Sequence, residues 1–301
     1  VNNSFGSFEI KPFKIKRKTK ARFSGIALIL SVGAGMGLYL SAQQSLLAEG
    51  SNRQALTTKT LRVCADPNNM PYSREDEAGL ENKVARLVAE KLGLDIHYTW
   101  FPQAIGFVRN TLRLRECDLI AGITTSSQLV QNTNAYYRSV YVMIYRKDSG
   151  LTATTVGDPE LKDKVFGVVA GTPPATLVAQ AGLMPKAKPY QLMVDTRHYT
   201  PSKDAIDDLI KGDIDVALLW GPLGAWHANE SGEDLVIVPL LEEDPAVRLD
   251  FRVSMAVRYQ EVDWKHQINE VLDEIQPEID EILKTYSIPL LDDAGNFKTN
   301  Q

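Results

Sequence analysis

An alternation of strand and helix signals that runs once, stops and starts again restricts this chain's architecture more than any other feature. Leu61–Ala65 reads as a short strand, ended by the turn-rich stretch Asp66-Pro67-Asn68-Asn69-Met70-Pro71. Leu80, Val84, Leu87, Val88 and Leu92 then recur at helical spacing, and Gly93 supplies a stop. A second strand over Ile96–Trp100, a helix from about 104 to 115 and the apolar strand Asp118–Ile123 complete the first unit. The pattern restarts with the strand Val165–Ala170 and with Gly171-Thr172-Pro173-Pro174 opening a helix, Thr172 as N-cap and Pro173 in the first helical position. A further helix from Ser202 to Gly212 and the strand Ile214–Leu219 follow. This order demands parallel strands with helices on their faces, built twice.

Two extended runs join the units: Tyr141–Tyr145, and Phe251–Val257 after the second unit. The tail from about 264 to 286 is a helical pair on Ile268, Val271, Leu272, Ile275, Ile279, Ile282 and Leu283, broken at Pro277. With two crossovers, one lobe holds both the start and the end of the folded chain. The expected division is 58–145 plus 254–301 for that lobe and 146–253 for the other.

Ahead of this body stands a basic cluster, Lys11 to Arg22, then the apolar run Phe23–Leu40 and the small and polar Ser41-Ala42-Gln43-Gln44. That is the order of a secretory signal, expected over residues 1–48; an uncleaved N-terminal anchor is the alternative, and the only membrane contact expected. Seven basic residues of the 301-residue chain fall in this segment, so the remainder is more acidic than the net charge of −5 implies. An acidic body lacks the basic footprint of a nucleic-acid binder. The 44% hydrophobic content excludes extensive disorder. Export would place Cys64 and Cys117 in an oxidising compartment. Cys64 lies in the first strand and Cys117 just before the third, so the pair forms either a disulfide or two buried free thiols.

Catalytic signatures are missing. The histidines His97, His198, His227 and His266 are scattered, with no C-x-x-C or H-E-x-x-H spacing for a metal. No G-x-S-x-G, phosphate loop or dinucleotide fingerprint occurs, and Glu242-Glu243-Asp244 and Asp292-Asp293 read as solvated faces. No cofactor, metal or catalytic residue is assigned, and no enzyme is expected. The loops at the carboxyl ends of the strands remain, where open α/β sheets bind ligands.

Those loops carry a family resemblance. Asp66-x4-Pro71-Tyr72, the strand Asp118–Ile123, Tyr136-Tyr137, Val169-Ala170-Gly171-Thr172 and Gly212-Asp213-Ile214-Asp215 resemble type II periplasmic solute-binding proteins. Leu61–Tyr72, Cys117-Asp118, Tyr136–Ser139, Gly167–Leu177, Asp213–Pro222 and Ile288–Asp292 are similar to one branch of them. That branch is the quinoprotein-dehydrogenase-associated family, which includes the J proteins of methanol-oxidation operons. The resemblance spans residues 58–292. It implies an α/β fold of periplasmic-binding-protein type II, each lobe a mainly parallel sheet flanked by helices, joined by two crossover strands around a cleft.

Departures from the wider family bear on function. Amino-acid-binding members carry an Arg after the third strand to fork the ligand carboxylate, whereas Gly122–Leu129 contains none. They also place an Asp where this chain has Trp220. A zwitterion would leave two charges poorly compensated. The resemblance therefore implies a periplasmic accessory protein of a PQQ-dependent methanol or alcohol dehydrogenase, aiding its maturation or activation. The alternative is a receptor delivering an uncharged or weakly polar solute to an ABC permease. Asn69, Tyr72, Trp100, Thr124, Gly171, Thr172 and Trp220 are the expected cleft-lining residues, by loop position. For each aromatic among them, core packing is the competing role.

Overall fold

The computed structural model describes Ala55 and residues 57–298; the expected signal segment, residues 1–48, lies outside the described residues. The first unit begins with β1 (Thr60–Ala65), whose residues are buried on both faces as in a covered parallel sheet. β1 runs parallel to β4 (Asp95–Trp100) on one side and to β5 (Leu119–Thr124) on the other. Between β1 and β4 come the short hairpin of β2 (Asn68–Asn69) and β3 (Ser73–Arg74) and the helix α1 (Leu80–Leu92). α1 buries Leu80, Val84, Ala85, Val88 and Ala89 against the sheet and ends at Gly93, whose φ of 65° suits glycine.

The expected helix over 104–115 shrinks to the four residues of α2 (Phe107–Asn110). Its start follows Gly106 at φ 95°, and Thr111 leaves helical geometry at φ −120°, ψ −84°. Beyond it the carbonyls of Leu112 and Cys117 both accept from the Arg258 guanidinium. The tertiary contact thus satisfies carbonyls that lie beyond the break, in a stretch whose local pattern suits a helix.

The long strand β6 (Gln131–Arg146) joins the halves. Its first part pairs antiparallel with β11 (Asp250–Val257), and its residues 141–146 pair with β9 (Val216–Trp220) and β10 (Leu235–Pro239). The second half has its own parallel core, β9–β7–β8, with β7 at Phe166–Val169 and β8 at Ala187–Tyr190. Strand order is therefore β4-β1-β5-β11-β6-β9-β7-β8, with β10 on the other side of β6. Helices α3 (Pro173–Gln180), α4 (Pro201–Lys211) and α5 (Gly221–Glu230) serve the second half. The chain then returns, and α6 (Val262–Glu274) and α7 (Gln276–Thr285) bury Trp264, Ile268, Ile279 and Leu283 in the core that also holds α1.

Each half buries apolar side chains on both faces of its sheet. Cys64 and Cys117 form a disulfide, their Cα atoms 5.5 Å apart, which ties β1 to the chain entering β5. Beside it the fully buried Asp118 carboxylate accepts from both Arg62 and Arg258 at 2.8 Å, and Arg258 also meets Glu261 at 2.9 Å. A charge that deep persists because every partner is present. Among the described residues no helix is long and apolar enough to cross a membrane.

Candidate functional site

The strand ends that the sequence singles out meet along one cleft. Asp66, directly after β1, is buried, and its carboxylate is fully engaged. It accepts from the Asn68 N–H at 2.9 Å, the Gln103 N–H at 2.5 Å and the Thr196 hydroxyl at 2.7 Å. Asn68 Nδ2 donates to the Thr196 carbonyl at 3.0 Å. Residues 191–200, the strap between β8 and α4, are thus held by the loop that follows β1.

Beneath the strap lies a cavity of about 140 Å3 lined by Asn69, Gln103, Tyr141, Thr172, Ser202 and Trp220, with Leu192 and Val194 of the strap over it. Three expected residues, Asn69, Thr172 and Trp220, come together here. Asn69 donates to Gln103 Oε1 at 3.2 Å. Thr172 stands at the N-cap of α3 but makes no side-chain cap; its hydroxyl instead donates to the Val169 carbonyl at 2.6 Å. Trp220 meets Tyr141 and Phe251 edge-on, with centroids 5.2 and 5.9 Å away. Gly171, at φ 80°, lines an adjoining groove of about 690 Å3 with Thr172, Pro173, Arg248 and Phe251. The Arg248 guanidinium lies 4.9 Å above the Phe251 ring.

The other expected residues stand apart from that cavity. Tyr72 packs against the core of the first half, with the Trp220 indole beside its hydroxyl. Burial pushes that phenol well above its ordinary range, and the neighbouring Tyr137 and Glu81 add to the shift. Trp100 stacks on Tyr98 at 4.7 Å and belongs to the same core. Thr124 pairs with Val253 at the end of β5 and accepts from the Ser126 hydroxyl at 3.2 Å.

Sequence reasoning missed Asp66, Gln103, Gln191, Thr196 and Ser202. The Asp66-Pro67-Asn68-Asn69 turn offered a signal for the first of these. The strap has no periodicity and offered none. It also missed Glu81, a buried carboxyl on α1 pressed under β5, where a Cβ on Gly122 would come within 1.7 Å of its Oε1. A side chain at position 122 would force the Glu81 carboxyl to shift. Burial, with a contribution from Asp66, lifts the Glu81 carboxyl to about 8, so it is mostly protonated at neutral pH. Among the described residues no group of three His, Cys, Asp or Glu side chains is placed to hold a metal ion.

The cavity beneath the strap can hold a small molecule between neutral polar groups and aromatic walls, and no charged side chain lines it. Comparison with known proteins agrees with the architecture. The family of bacterial extracellular solute-binding proteins, family 3, matches residues 61–288. Protein MoxJ of Methylorubrum extorquens is 28% identical over 294 residues, covering 92% of this chain and 97% of that protein. Among solved structures, the periplasmic binding protein XoxJ from Methylobacterium extorquens AM1 is 42% identical, with a TM-score of 0.66. The match covers 77% of this chain and all of XoxJ, 100%. MxaJ from Methlophaga aminisulfidivorans MPT is 26% identical, covering 77% of this chain and 100% of its own, with a TM-score of 0.67. With its two-lobed α/β fold and the residues matched, the chain belongs to the bacterial extracellular solute-binding proteins of family 3, in their MoxJ- and XoxJ-like branch.

Proposed function

We propose that this chain is a periplasmic, solute-binding-like accessory protein of a PQQ-dependent methanol or alcohol dehydrogenase, aiding its maturation or activation, and not itself an enzyme. The observation that carries this reading is the 42% identity to XoxJ over that protein's whole length. The cleft supports it as well, since Trp220 and the Arg-free stretch Gly122–Leu129 leave no reader for a zwitterion. With the reading goes a division into lobes of 58–145 plus 254–301 and 146–253. The test is native mass spectrometry of the tagged protein taken gently from its own periplasm. The expected result is a large adduct with the mass of a quinoprotein dehydrogenase subunit. Recovery of the protein free of any such subunit, from cells that contain the dehydrogenase, would overturn the reading.

One observation favours a second reading, a receptor that passes an uncharged solute to an ABC permease. Asn69, Thr172 and Trp220 converge on one concave cavity, as a ligand site requires. Under this reading the same spectra carry a small adduct of a few hundred daltons or less, lost in Trp220→Ala.

A further inference from the structure

The cavity beneath the strap is selective in its chemistry. Its polar side chains are the amides of Asn69, Gln103 and Gln191 and the hydroxyls of Thr172, Thr196, Thr200 and Ser202; no ionisable acid or base other than the Tyr141 phenol lines it. Burial lifts that phenol to about 12, so it too is neutral. Asp66 stands behind Gln103 and Thr196 with its oxygens already occupied. An ion entering this space would lose its water and meet no counter-charge on the lining itself.

Ser202 fixes the orientation. It is the second residue of α4, only 5% exposed, and its hydroxyl lines the cavity without a protein partner. α4 begins without a side-chain cap at Thr200, and Pro201 contributes no N–H. The N–H groups of Ser202 and Lys203 therefore have no intrahelical acceptor. A hydroxyl with no protein partner on the cavity lining and an uncapped helix start both suit an acceptor oxygen, and the positive end of the helix disfavours a cation. Asn69, also on the lining, spends an N–H on Gln103 Oε1 and keeps its own Oδ1 as an acceptor. At about 30 Å3 per water, the 140 Å3 holds about five waters, or roughly five to seven non-hydrogen atoms of an organic molecule.

We propose that this cavity binds a small uncharged amide-type solute, its carbonyl oxygen on Ser202 and the start of α4, its N–H toward Asn69, and its short chain against Trp220 and Leu192. The proposal deepens the receptor reading of the cleft and rests on it, while it is independent of any dehydrogenase.

Three probes of nearly equal shape test it: butyramide, butyrate and butyramidinium, which are neutral, anionic and cationic. The chain has four tryptophans, so the 15N-labelled protein gives four indole signals, and Trp220→Phe identifies the one that matters. The Trp220 signal is expected to shift saturably with butyramide, at an affinity at least about tenfold tighter than for either ion. Ser202→Ala should weaken butyramide about three- to tenfold with the melting temperature unchanged, and Asn69→Ala should do likewise. Equal or tighter binding of butyrate or butyramidinium would overturn the proposal, as would wild-type affinity in both variants. So would the absence of a saturable Trp220 shift with all three probes. These outcomes separate the two ideas. A protein that binds butyramide in this way yet carries no small adduct from the periplasm loses the receptor role and keeps the site. One that carries such an adduct yet prefers butyrate keeps the role and loses this assignment.

Discussion

Glu81, buried, and His227, half-buried, both sit in the fold in their neutral forms, and they set opposite limits on pH. The Glu81 carboxyl titrates at about 8 when folded and near its ordinary 4.5 when unfolded. Between those values the folded chain holds a proton that the unfolded chain has released, so its contribution to stability falls as pH rises from 4.5 to 8. Glu81→Gln should flatten that slope, with a melting temperature that exceeds the wild type's most at pH 8; parallel profiles from pH 5 to 8 would refute this. His227 on α5 has its Nε2 buried without a hydrogen-bond partner. Burial, then the Lys203 charge, lowers its pKa from 6.5 to about 4. Here the unfolded chain takes up the proton first, and stability is lost as pH falls from 6.5 toward 4. His227→Phe should make urea midpoints less sensitive to acid over that window, and an unchanged acid limb would count against it. Neither group was legible as special in the sequence. Glu81 sits in an ordinary amphipathic helix, and only the close approach of Gly122 reveals that β5 has shut it in.

At the level of elements, the sequence announced most of the architecture and misjudged one helix. Strand and helix signals around Leu61, Leu80, Val165 and Ile214 were readable because apolar spacing and the stops at Gly93 and Gly212 agreed with one another. The stretch after Phe107 has helical spacing too, yet it leaves helical geometry at Thr111, and Arg258, from far later in the chain, holds the Leu112 carbonyl beyond that break. No window of local sequence contains that information. The disulfide next to it closes a span of 53 residues, and an entropic estimate gives it about 4 kcal/mol of stability. Cys64→Ser with Cys117→Ser should lower the unfolding free energy in urea by about that amount. A loss below about 1 kcal/mol would mean that the β1–β5 ladder and the ion pairs of Asp118 suffice to hold the two strands together.

In the whole molecule, the cleft was legible as a place and not as a composition. Asn69, Thr172 and Trp220 follow strand ends, where the general rule for open sheets directs attention, and they meet. Trp100 follows the same rule and stacks in the core instead, because Tyr98 lies beneath it. The strap escaped notice since its tie to the rest of the fold, Asp66 and Asn68 holding Thr196, leaves no periodicity in the sequence. Thr196→Val should therefore free residues 191–200, seen as faster amide hydrogen exchange there with the exchange of β1 and β9 unchanged. Unaltered exchange in the strap would show that its packing suffices without Asp66.

The position of β11 has a consequence for the order in which this molecule assembles. β11 lies between β5 and β6, and Ser254 stands opposite Ile123, 131 positions earlier. A ribosome or a translocation pore delivers β5 and β6 long before the strand that must separate and bridge them. Until residue 257 emerges, one edge of each stays open, exposing apolar side chains and unpaired amides to any passing strand. The half that starts first must finish last, while the β7–β9 half, complete by residue 239, has its strands in hand. Nascent chains stalled before 250 are thus the form of this protein with the greatest need of a chaperone.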